Sequence, residues 1–470
     1  MQNGTSKLDG INKIPVPHTP VFNLASWASS LTFADLPSEV VGRTKSFYLD
    51  WLASAAAGRN HVSVASMVNL TKTQGPMTGK CEIVGFSDLT TSPIFAALVN
   101  GASSHVVEQD DLHNSSMMHP ATVVFPAALA VAQRVGAHGK DFITACVVGY
   151  EFACRFGERL GKSHYSKFHT TATAGIVGAA AAASYLLHHD AATMLSAVGT
   201  AGTQAAGLWQ FLLDATHSKQ VHTAKAASDG VLSAYLADSG LLGPHEILEG
   251  KRGMVATLSS GQDSNPSIVD KDLGYQWSVM GSSFKWHASC RHTHPSVDAL
   301  LSLMEAEGVK AQDISDIEAH TYKSAIEILS LSEKADTVHQ SKFSMGFVLA
   351  VAAHRGSAKI TDFTEEALFE PELRQFQKRV RMVLDEKIEN AFPEKWLGKV
   401  VVVTKTGQKF EKEVEVVKGD PGWTLTSEEL EAKFLSLADY GKINDTPKLS
   451  ETIERVWHLE DQENMLGYAF

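Results

Sequence analysis

The sequence is poor in cysteine and lacks every cysteine-based motif. Four cysteines are scattered over 470 residues, and no two of them form a CxxC pair. Neither a disulfide framework nor a zinc or iron–sulfur site is therefore indicated. Cys146 and Cys154 lie eight residues apart, a helical spacing, and we predict that both are buried thiols.

Membrane-spanning runs and phosphate-binding loops are missing as well. The longest stretch of low charge, residues 170–187, consists mainly of Ala, Gly and Thr and lacks the Leu, Ile and Phe content of a membrane span. The sequence contains neither G-x-G-x-x-G nor a Walker A motif. The first twenty residues are polar, without the apolar core of a signal peptide, so we expect a soluble, cytoplasmic protein.

Basic charge is in short supply, and the formal net charge is -12. We therefore expect no nucleic-acid partner and no anionic membrane partner, because both are polyanions. An acidic chain that binds an anionic substrate needs a locally basic pocket. Isolated lysines and arginines within apolar sequence are the candidates for such a pocket.

Helical periodicity dominates the first part of the chain. Apolar residues recur near a period of 3.6 over residues 37–55. Further helical patterns lie at 91–105, 121–136, 140–160, 170–187, 190–206 and 223–240. Their Ala and Gly content allows close helix packing. We predict a mainly α protein with a flexible arm over residues 1–20 and a large helical domain whose first part is 20–282.

The pattern changes near residue 283. Residues 316–322 alternate like a strand, while 399–405 and 410–417 predict a β-hairpin that turns at Gly407. Helical patterns return from Ser427 onward. We therefore predict a smaller α+β lid domain over residues 283–417, inserted near the C-terminal end of the helical domain, which residues 418–470 complete.

Polar residues are concentrated in residues 108–120, between two apolar runs. Charge of this density between core-like segments predicts a polar mouth between two buried helices. The spacing His-x5-His is not a recognised metal pattern, so an acid/base role is favoured over a metal site. Capping of the following helix is an equally good interpretation for either aspartate alone. The candidates are Glu108, Asp110, Asp111, His113 and His119.

Two more polar islands interrupt apolar helical sequence. His169 precedes three threonines at a helix start, which indicates an anion site, with a polar helix cap as the alternative. Lys219 and His222 share one helical face if the helix has already begun there. A lysine in such Ala-rich surroundings suits a substrate carboxylate, and a solvated basic face is the alternative.

The last island, residues 284–295, lies where the pattern changes. Lys285 and Arg291 beside a domain boundary suit a carboxylate clamp. Cys290 stands among histidines and is a candidate nucleophile, although a buried thiol is the better interpretation without a partner motif. Together the islands favour acid/base chemistry on a polycarboxylate, with no cofactor and no metal.

These islands, in order, resemble the motifs of the MmgE/PrpD family. The resemblance covers residues 22–460, and its blocks are 100–105 followed by 108–111 and 119–120, then 168–171, 218–223 and 285–295. It implies a large helical domain with a small α+β lid, a homodimer, and an active site between the domains without metal or organic cofactor. The family includes 2-methylcitrate dehydratase, cis-aconitate decarboxylase and iminodisuccinate epimerase.

The resemblance therefore implies a carbon lyase that moves a proton next to a carboxylate of a tricarboxylic acid. An epimerase or racemase of a related dicarboxylate is the alternative, and a non-catalytic carboxylate-binding protein is a third. In the implied mechanism Lys219 and Lys285 bind carboxylates, and His119 and His169 form the acid/base pair with pKa values near 6.5. The remaining candidates are Glu108 and Asp111 for orienting a histidine or taking a proton, and His222, Arg291 and Cys290 for binding substrate.

The sequence also departs from the family pattern. Glu108 stands where many members have Asp. Leu112 and Cys290 stand where the mammalian decarboxylase type has Thr and His, and the loop from Asp111 to His119 is one residue longer. We therefore expect a substrate that differs from that of the mammalian type.

Overall fold

The computed structural model describes residues 18–76, 78–214, 216–263 and 265–470. The predicted fold class, mainly α with a small α+β region, is confirmed. Most of the predicted N-terminal arm lies outside the described residues, and the first helix begins at Pro20 behind the side-chain cap of Thr19. No helix in the described ranges is both long and apolar enough to cross a membrane.

Twelve helices form the first part of the described chain. They are α1 (Pro20–Ser30), α2 (Ser38–Gly58), α3 (Val62–Gln74), α4 (Pro93–His105), α5 (Ala121–Val135), α6 (Gly139–Tyr165), α7 (Thr170–Thr173), α8 (Gly175–Leu186), α9 (Ala191–Gly202), α10 (Gln210–Leu213), α11 (Ser218–Asp238) and α12 (Met254–Leu258). Short strands accompany them in antiparallel pairs. β1 (Cys81–Ile83) pairs with β2 (Phe86–Thr91), and β3 (Leu112–His113) pairs with β4 (Ser282–Ser283).

Small residues let the central helices α6 and α8 touch, as the composition predicted. A Cβ at Gly178 would lie 2.5 Å from the carbonyl oxygen of Gly149, so no side chain fits there. Cys146 and Cys154, on the same helix α6, are fully buried, as predicted. The helices α6 and α8 are therefore packed backbone to backbone at this point.

Two predicted helices differ from the structure at the ends that matter for the site. The pattern placed a helix over residues 223–240, but α11 begins at Ser218, so Lys219 and His222 lie in its first two turns. Polar residues in these turns hid the start from the apolar periodicity. The helix predicted over 170–187 is divided at Ala174 into α7 and α8.

A four-stranded sheet with helices follows. Its elements are α13 (His294–Glu307), β5 (Ile314–Thr321), α14 (Lys323–Ser330), α15 (Val338–Ser341), α16 (Met345–Arg355), α17 (Pro371–Gln377), β6 (Val380–Leu384), α18 (Glu386–Ala391), β7 (Gly398–Thr404) and β8 (Lys409–Val414). The strand order is β6-β5-β7-β8, with only the β5–β6 pair parallel. The predicted hairpin is confirmed as β7–β8, and Gly407 has the left-handed φ of 82° at its turn.

The chain returns to the helical part through α19 (Ser427–Tyr440), which packs against α2, and α20 (Thr446–Trp457). Thr426 and Glu429 form a capping box at the start of α19. The domain limits at residues 282 and 417 stay a prediction. The candidate site lies where loops of the helical part contact residues near β4 and α15.

Candidate active site

Five loop and helix-end residues from distant parts of the chain converge on one small cavity. Glu108 follows α4, His119 precedes α5, His169 precedes α7, Lys219 lies in the first turn of α11, and Lys285 follows β4. The cavity has a volume of about 30 Å³. That is room for about one water molecule. A polycarboxylate enters only if the walls move apart.

The other walls of the cavity are mostly aromatic or apolar, and several belong to the second part of the chain. They are Leu112, Met117, Tyr165, Trp209, Cys290, Arg291, His292, Ile328, Phe343 and Trp396. Such a lining excludes water, and charges inside it therefore interact strongly.

Glu108 joins the two predicted carboxylate-binding lysines. Its Oε1 accepts a short hydrogen bond from Nζ of Lys219, and its Oε2 accepts one from Nζ of Lys285 at 2.8 Å. Burial alone would raise the pKa of Glu108, but the two ammonium groups outweigh it and hold the pKa well below its ordinary value. Glu108 is therefore an ionised carboxylate bound between two cations. No histidine is its hydrogen-bond partner among the described residues.

The backbone at Glu108 is held in an uncommon conformation. Its φ of 59° lies in the left-handed region, which costs a non-glycine residue about 1–3 kcal/mol. The preceding carbonyl, of Val107, accepts a hydrogen bond of 3.1 Å from Nζ of Lys342. Lys342 is buried in the loop between α15 and α16, and burial lowers its pKa to about 8. This lysine, which the sequence did not single out, connects the sheet-containing part to the Glu108 loop.

A pair of histidines shares one aspartate beside the lysines. Nδ1 of His105 lies 2.7 Å from Oδ2 of Asp110, and Nδ1 of His119 lies 3.4 Å from the same oxygen. Nδ1 of His119 also donates to the carbonyl of Asp111 at 2.5 Å. Burial lowers the pKa of His119 to about 3, and this outweighs the opposing charge of Asp110. Both imidazoles are therefore neutral donors to oxygen.

His169 is neutral as well. Burial and the neighbouring His222 and His105 lower its pKa well below the ordinary value. The expectation that His119 and His169 keep pKa values near 6.5 is therefore wrong for the unliganded protein. The reason is tertiary: desolvation of a buried imidazole opposes its charged form, and sequence spacing does not report burial.

The other predicted residues of the opening island have structural partners. Oδ1 of Asp111 accepts from the backbone N–H of Ala121 at 3.0 Å, and its Oδ2 accepts from the Tyr150 hydroxyl at 2.7 Å. Burial raises the pKa of Asp111 well above its usual range. These contacts correspond to the helix-capping alternative. Nδ1 of His113 lies 2.8 Å from the hydroxyl of Ser116. Neither Asp111 nor His113 lines the cavity.

The last island supplies one wall of the cavity. Burial raises the pKa of Cys290 to about 11, which keeps its thiol protonated and argues against a nucleophile. Arg291 pairs with Asp420, yet its Nε and Nη1 are buried without a hydrogen-bond partner in the described part of the chain. His292 is fixed by Tyr322, whose hydroxyl lies 2.6 Å from its Nδ1. Unpaired buried donors on Arg291 are an open position for an anion.

His222 lies behind the cavity wall, not on it. Its Nδ1 is 3.3 Å from Nδ1 of His169, and it lines a separate surface pocket of about 390 Å³. His105 was not predicted as a site residue, although it is the last residue of the predicted helix 91–105. Asp110 was a candidate without an assigned role. Folding brings these two into contact across five residues.

One group could hold a metal ion. Within the described ranges, His105, Asp110 and His119 offer one ligand atom each, all within 4.8 Å of one another. Nδ1 of His105 and Oδ2 of Asp110 are hydrogen-bonded to each other, whereas Nε2 of His105 and Oδ1 of Asp110 have no hydrogen-bond partner among the described residues. The absence of a metal stays a prediction.

Comparison with known proteins gives matches along nearly the whole chain. A family model described as MmgE/PrpD N-terminal domain matches residues 23–267, and one described as MmgE/PrpD C-terminal domain matches residues 287–459. The chain is 26% identical over 467 residues to a cis-aconitate decarboxylase of Aspergillus terreus, covering 93% of this chain and 92% of that protein.

Two further relatives carry similar names. A cis-aconitate decarboxylase-like protein oryM of Aspergillus oryzae is 26% identical over 460 residues, covering 93% of this chain and 94% of the relative. A cis-aconitate decarboxylase of Mus musculus is 23% identical over 452 residues, covering 93% and 91%.

Proposed function

The chain belongs to the MmgE/PrpD family, and from that premise we propose that it is a carbon lyase acting on a small polycarboxylate, with decarboxylation of cis-aconitate as the first candidate reaction. The names of its relatives support this choice of substrate. Dehydration of a 2-methylcitrate-type substrate is the other lyase reaction that the same residues serve.

The observation that carries the proposal is the position of Glu108 between two buried lysines. Lys219 and Lys285 bring two positive charges against one negative charge, so the cluster has an excess of one cation. Arg291 adds donors without a partner among the described residues. A substrate carboxylate binds there by joining Glu108 or by taking its place, and a second carboxylate reaches Arg291.

The chemistry follows from this charge distribution. In decarboxylation the bond between carbon and the leaving carboxylate breaks, and its electron pair moves into the adjacent unsaturated system. The lysines stabilise the negative charge that develops beside the remaining carboxylate. The electron pair then takes one proton at carbon, so each molecule of carbon dioxide released consumes one proton.

His119 and His169 are the proposed proton carriers. Both are neutral, because burial dominates their pKa values. An anionic substrate beside them favours the charged form and raises their pKa values, so substrate binding brings a proton into the cavity. Asp110 holds His105 and faces His119, and we assign it the orienting role that was predicted for Glu108 or Asp111.

Epimerisation is the second candidate, and two wall residues favour testing it. Leu112 and Cys290 line the cavity at the positions where the mammalian decarboxylase type has Thr and His. Neither side chain supplies a hydroxyl or an imidazole to the substrate. An epimerase needs removal and return of a proton but no leaving group.

The test is turnover of cis-aconitate, 2-methylcitrate and iminodisuccinate, with products identified by NMR. We expect a decarboxylated or dehydrated tricarboxylate, and loss of this turnover in Lys285→Met. Lys225→Met is the matched control, because Lys225 pairs with Asp229 on the exposed side of α11. Turnover of none of the three substrates contradicts the proposal.

A cytoplasmic location and a homodimer are also proposals, and analytical ultracentrifugation measures the oligomeric state.

A further inference from the structure

Two neighbouring imidazoles separate two cavities. His169 lines the closed cavity of about 30 Å³ and His222 lines the surface pocket of about 390 Å³, and neither lines both. Leu208 and Val221, which line the surface pocket, are 62% and 47% exposed, so solvent reaches that side. The imidazole pair therefore lies between this solvent-exposed pocket and the candidate active site.

The contact between the rings has the geometry of a shared proton. Nδ1 of His169 and Nδ1 of His222 are 3.3 Å apart, and a hydrogen bond between two neutral imidazoles requires that only one Nδ1 carries a proton. The Nε2 atoms have no hydrogen-bond partner in the part of the chain that the structure describes. Each ring thus has one nitrogen bonded to the other ring and one nitrogen free.

The backbone keeps the pair in place. The N–H of His169 donates to the carbonyl of Gly207 at 2.9 Å, and a Cβ at Gly207 would lie 3.5 Å from Nδ1 of His222. His222 itself is anchored in the second turn of α11, beside Lys219 in the first. The close approach of all three segments leaves the rings little room to separate.

We propose that His222 is a positioning and proton-relay residue that resupplies His169 from solvent while the active site is closed. The inference rests on the proposed function, because a closed decarboxylase must import one proton for each carbon dioxide it releases. Nε2 of His222 takes a proton from water in the surface pocket, and the proton on its Nδ1 passes to Nδ1 of His169. The proton on Nε2 of His169 goes to the substrate carbon, which leaves His169 protonated on Nδ1 and His222 protonated on Nε2. When the cavity opens for product release, water protonates Nε2 of His169, the Nδ1 proton returns to Nδ1 of His222, and His222 releases its Nε2 proton to water in the surface pocket, which restores the start.

The surroundings suit a relay more than a stored charge. Burial, followed by the electrostatic effect of the neighbouring His105 and Lys219, lowers the pKa of His222 to about 4. Burial and then the neighbouring His222 and His105 hold the pKa of His169 well below its ordinary value. Neither ring therefore carries an additional proton at neutral pH. A proton passes from His222 to His169 only when negative charge develops on the substrate in the active-site cavity.

The first experiment compares His222→Ala and His222→Gln with the wild type and with Val221→Ala, which changes the same pocket without touching His169. In both His222 variants kcat falls by at least about tenfold while KM changes little, because His222 does not touch substrate. Added imidazole restores kcat of His222→Ala in proportion to its concentration. Glutamine keeps a hydrogen bond to His169 but cannot relay, so His222→Gln shows that position alone is insufficient. Unchanged kcat, or a loss in folded variants that no imidazole restores, overturns the relay.

A second readout needs no substrate. Nitrogen NMR of 15N-histidine protein gives the tautomers of both rings, and we expect one shared Nδ1 proton, which disappears in His222→Ala. Protons on Nε2 of both rings, with none between the Nδ1 atoms, overturn the relay even in an active enzyme. A wild type that turns over no polycarboxylate but retains the shared proton overturns the proposed function and leaves the proton-sharing pair established.

Discussion

Replacing Glu108 by glutamine removes the only carboxylate that is bonded to both lysines in the described chain. Lys219 and Lys285 are 3% and 0% exposed, so the substitution leaves two buried ammonium groups without their counter-ion. Breaking a buried ion pair in this way costs about 3–5 kcal/mol. The protein can instead release a proton from one lysine, which costs about 5 kcal/mol at pH 7, since each pH unit below the ordinary pKa of lysine is worth about 1.4 kcal/mol. The loss of folding stability therefore does not exceed about 5 kcal/mol.

The destabilisation is expected to be reversible by an anion. For a chain of 470 residues, a loss of about 4 kcal/mol lowers Tm by about 4 °C. A tricarboxylate that binds between the lysines replaces the lost charge, so it raises the Tm of Glu108→Gln more than that of the wild type. Differential scanning calorimetry with and without cis-aconitate measures both effects.

A second buried carboxylate–lysine pair provides the control. Asp50 is buried, and its Oδ1 lies 2.6 Å from Nζ of Lys433, whose side chain is 7% exposed; neither residue lines the cavity. Asp50→Asn also leaves a lysine without its carboxylate, but it gains no extra stabilisation from the tricarboxylate. If Glu108→Gln is as stable as the wild type, or if the anion stabilises both variants equally, the assignment of the lysines as a carboxylate site is refuted.

Three other predictions follow from the same geometry. His169→Gln lowers kcat by about 10²–10⁴-fold, measured by product formation, whereas the exposed His188→Gln does not; equal activity of the two variants contradicts the role of His169. Cys290→Ala keeps turnover within a few-fold, because a thiol with a pKa of about 11 is no nucleophile; complete loss contradicts this. Stability falls as pH decreases below 6.5, because buried neutral histidines such as His119 take up protons only on unfolding, each costing up to about 1.4 kcal/mol per pH unit until its folded pKa of about 3 is reached. Urea unfolding at pH 7.5 and 5.5 measures this loss, and equal stability at both values refutes it.

The fold was largely predictable because its patterns are local. Alternation and the glycine at position 407 predict the β7–β8 hairpin, and the apolar period predicts most of the long helices. The start of α11 at Ser218 was not predictable, since its first turns carry polar residues that face the site. The polar residues of the candidate site thus interrupt the apolar pattern from which the start of α11 would have been predicted.

The membership of the candidate site was predictable only in part. Charge density within apolar sequence pointed to Glu108, His119, His169, Lys219 and Lys285, which the structure brings together. Their partners were not predictable, because the Glu108–Lys285 contact joins residues 177 positions apart.

The electrostatic state of the site could not be read from spacing either. Lowered histidine pKa values depend on burial, and so does the lowered pKa of Lys342, a residue in an unremarkable stretch of sequence. Burial is a property of the fold as a whole. Sequence spacing identified the chemical groups, while the structure was needed to assign their charges.

Turnover of cis-aconitate in deuterium oxide, followed by NMR, tests the central claim most directly. If the closed cavity releases carbon dioxide and imports one proton through its histidines, each product molecule carries one carbon-bound deuteron at a single position. Lys285→Met abolishes the signal. Absence of carbon dioxide release and deuterium incorporation with cis-aconitate, together with absence of a dehydrated product from 2-methylcitrate, contradicts the account.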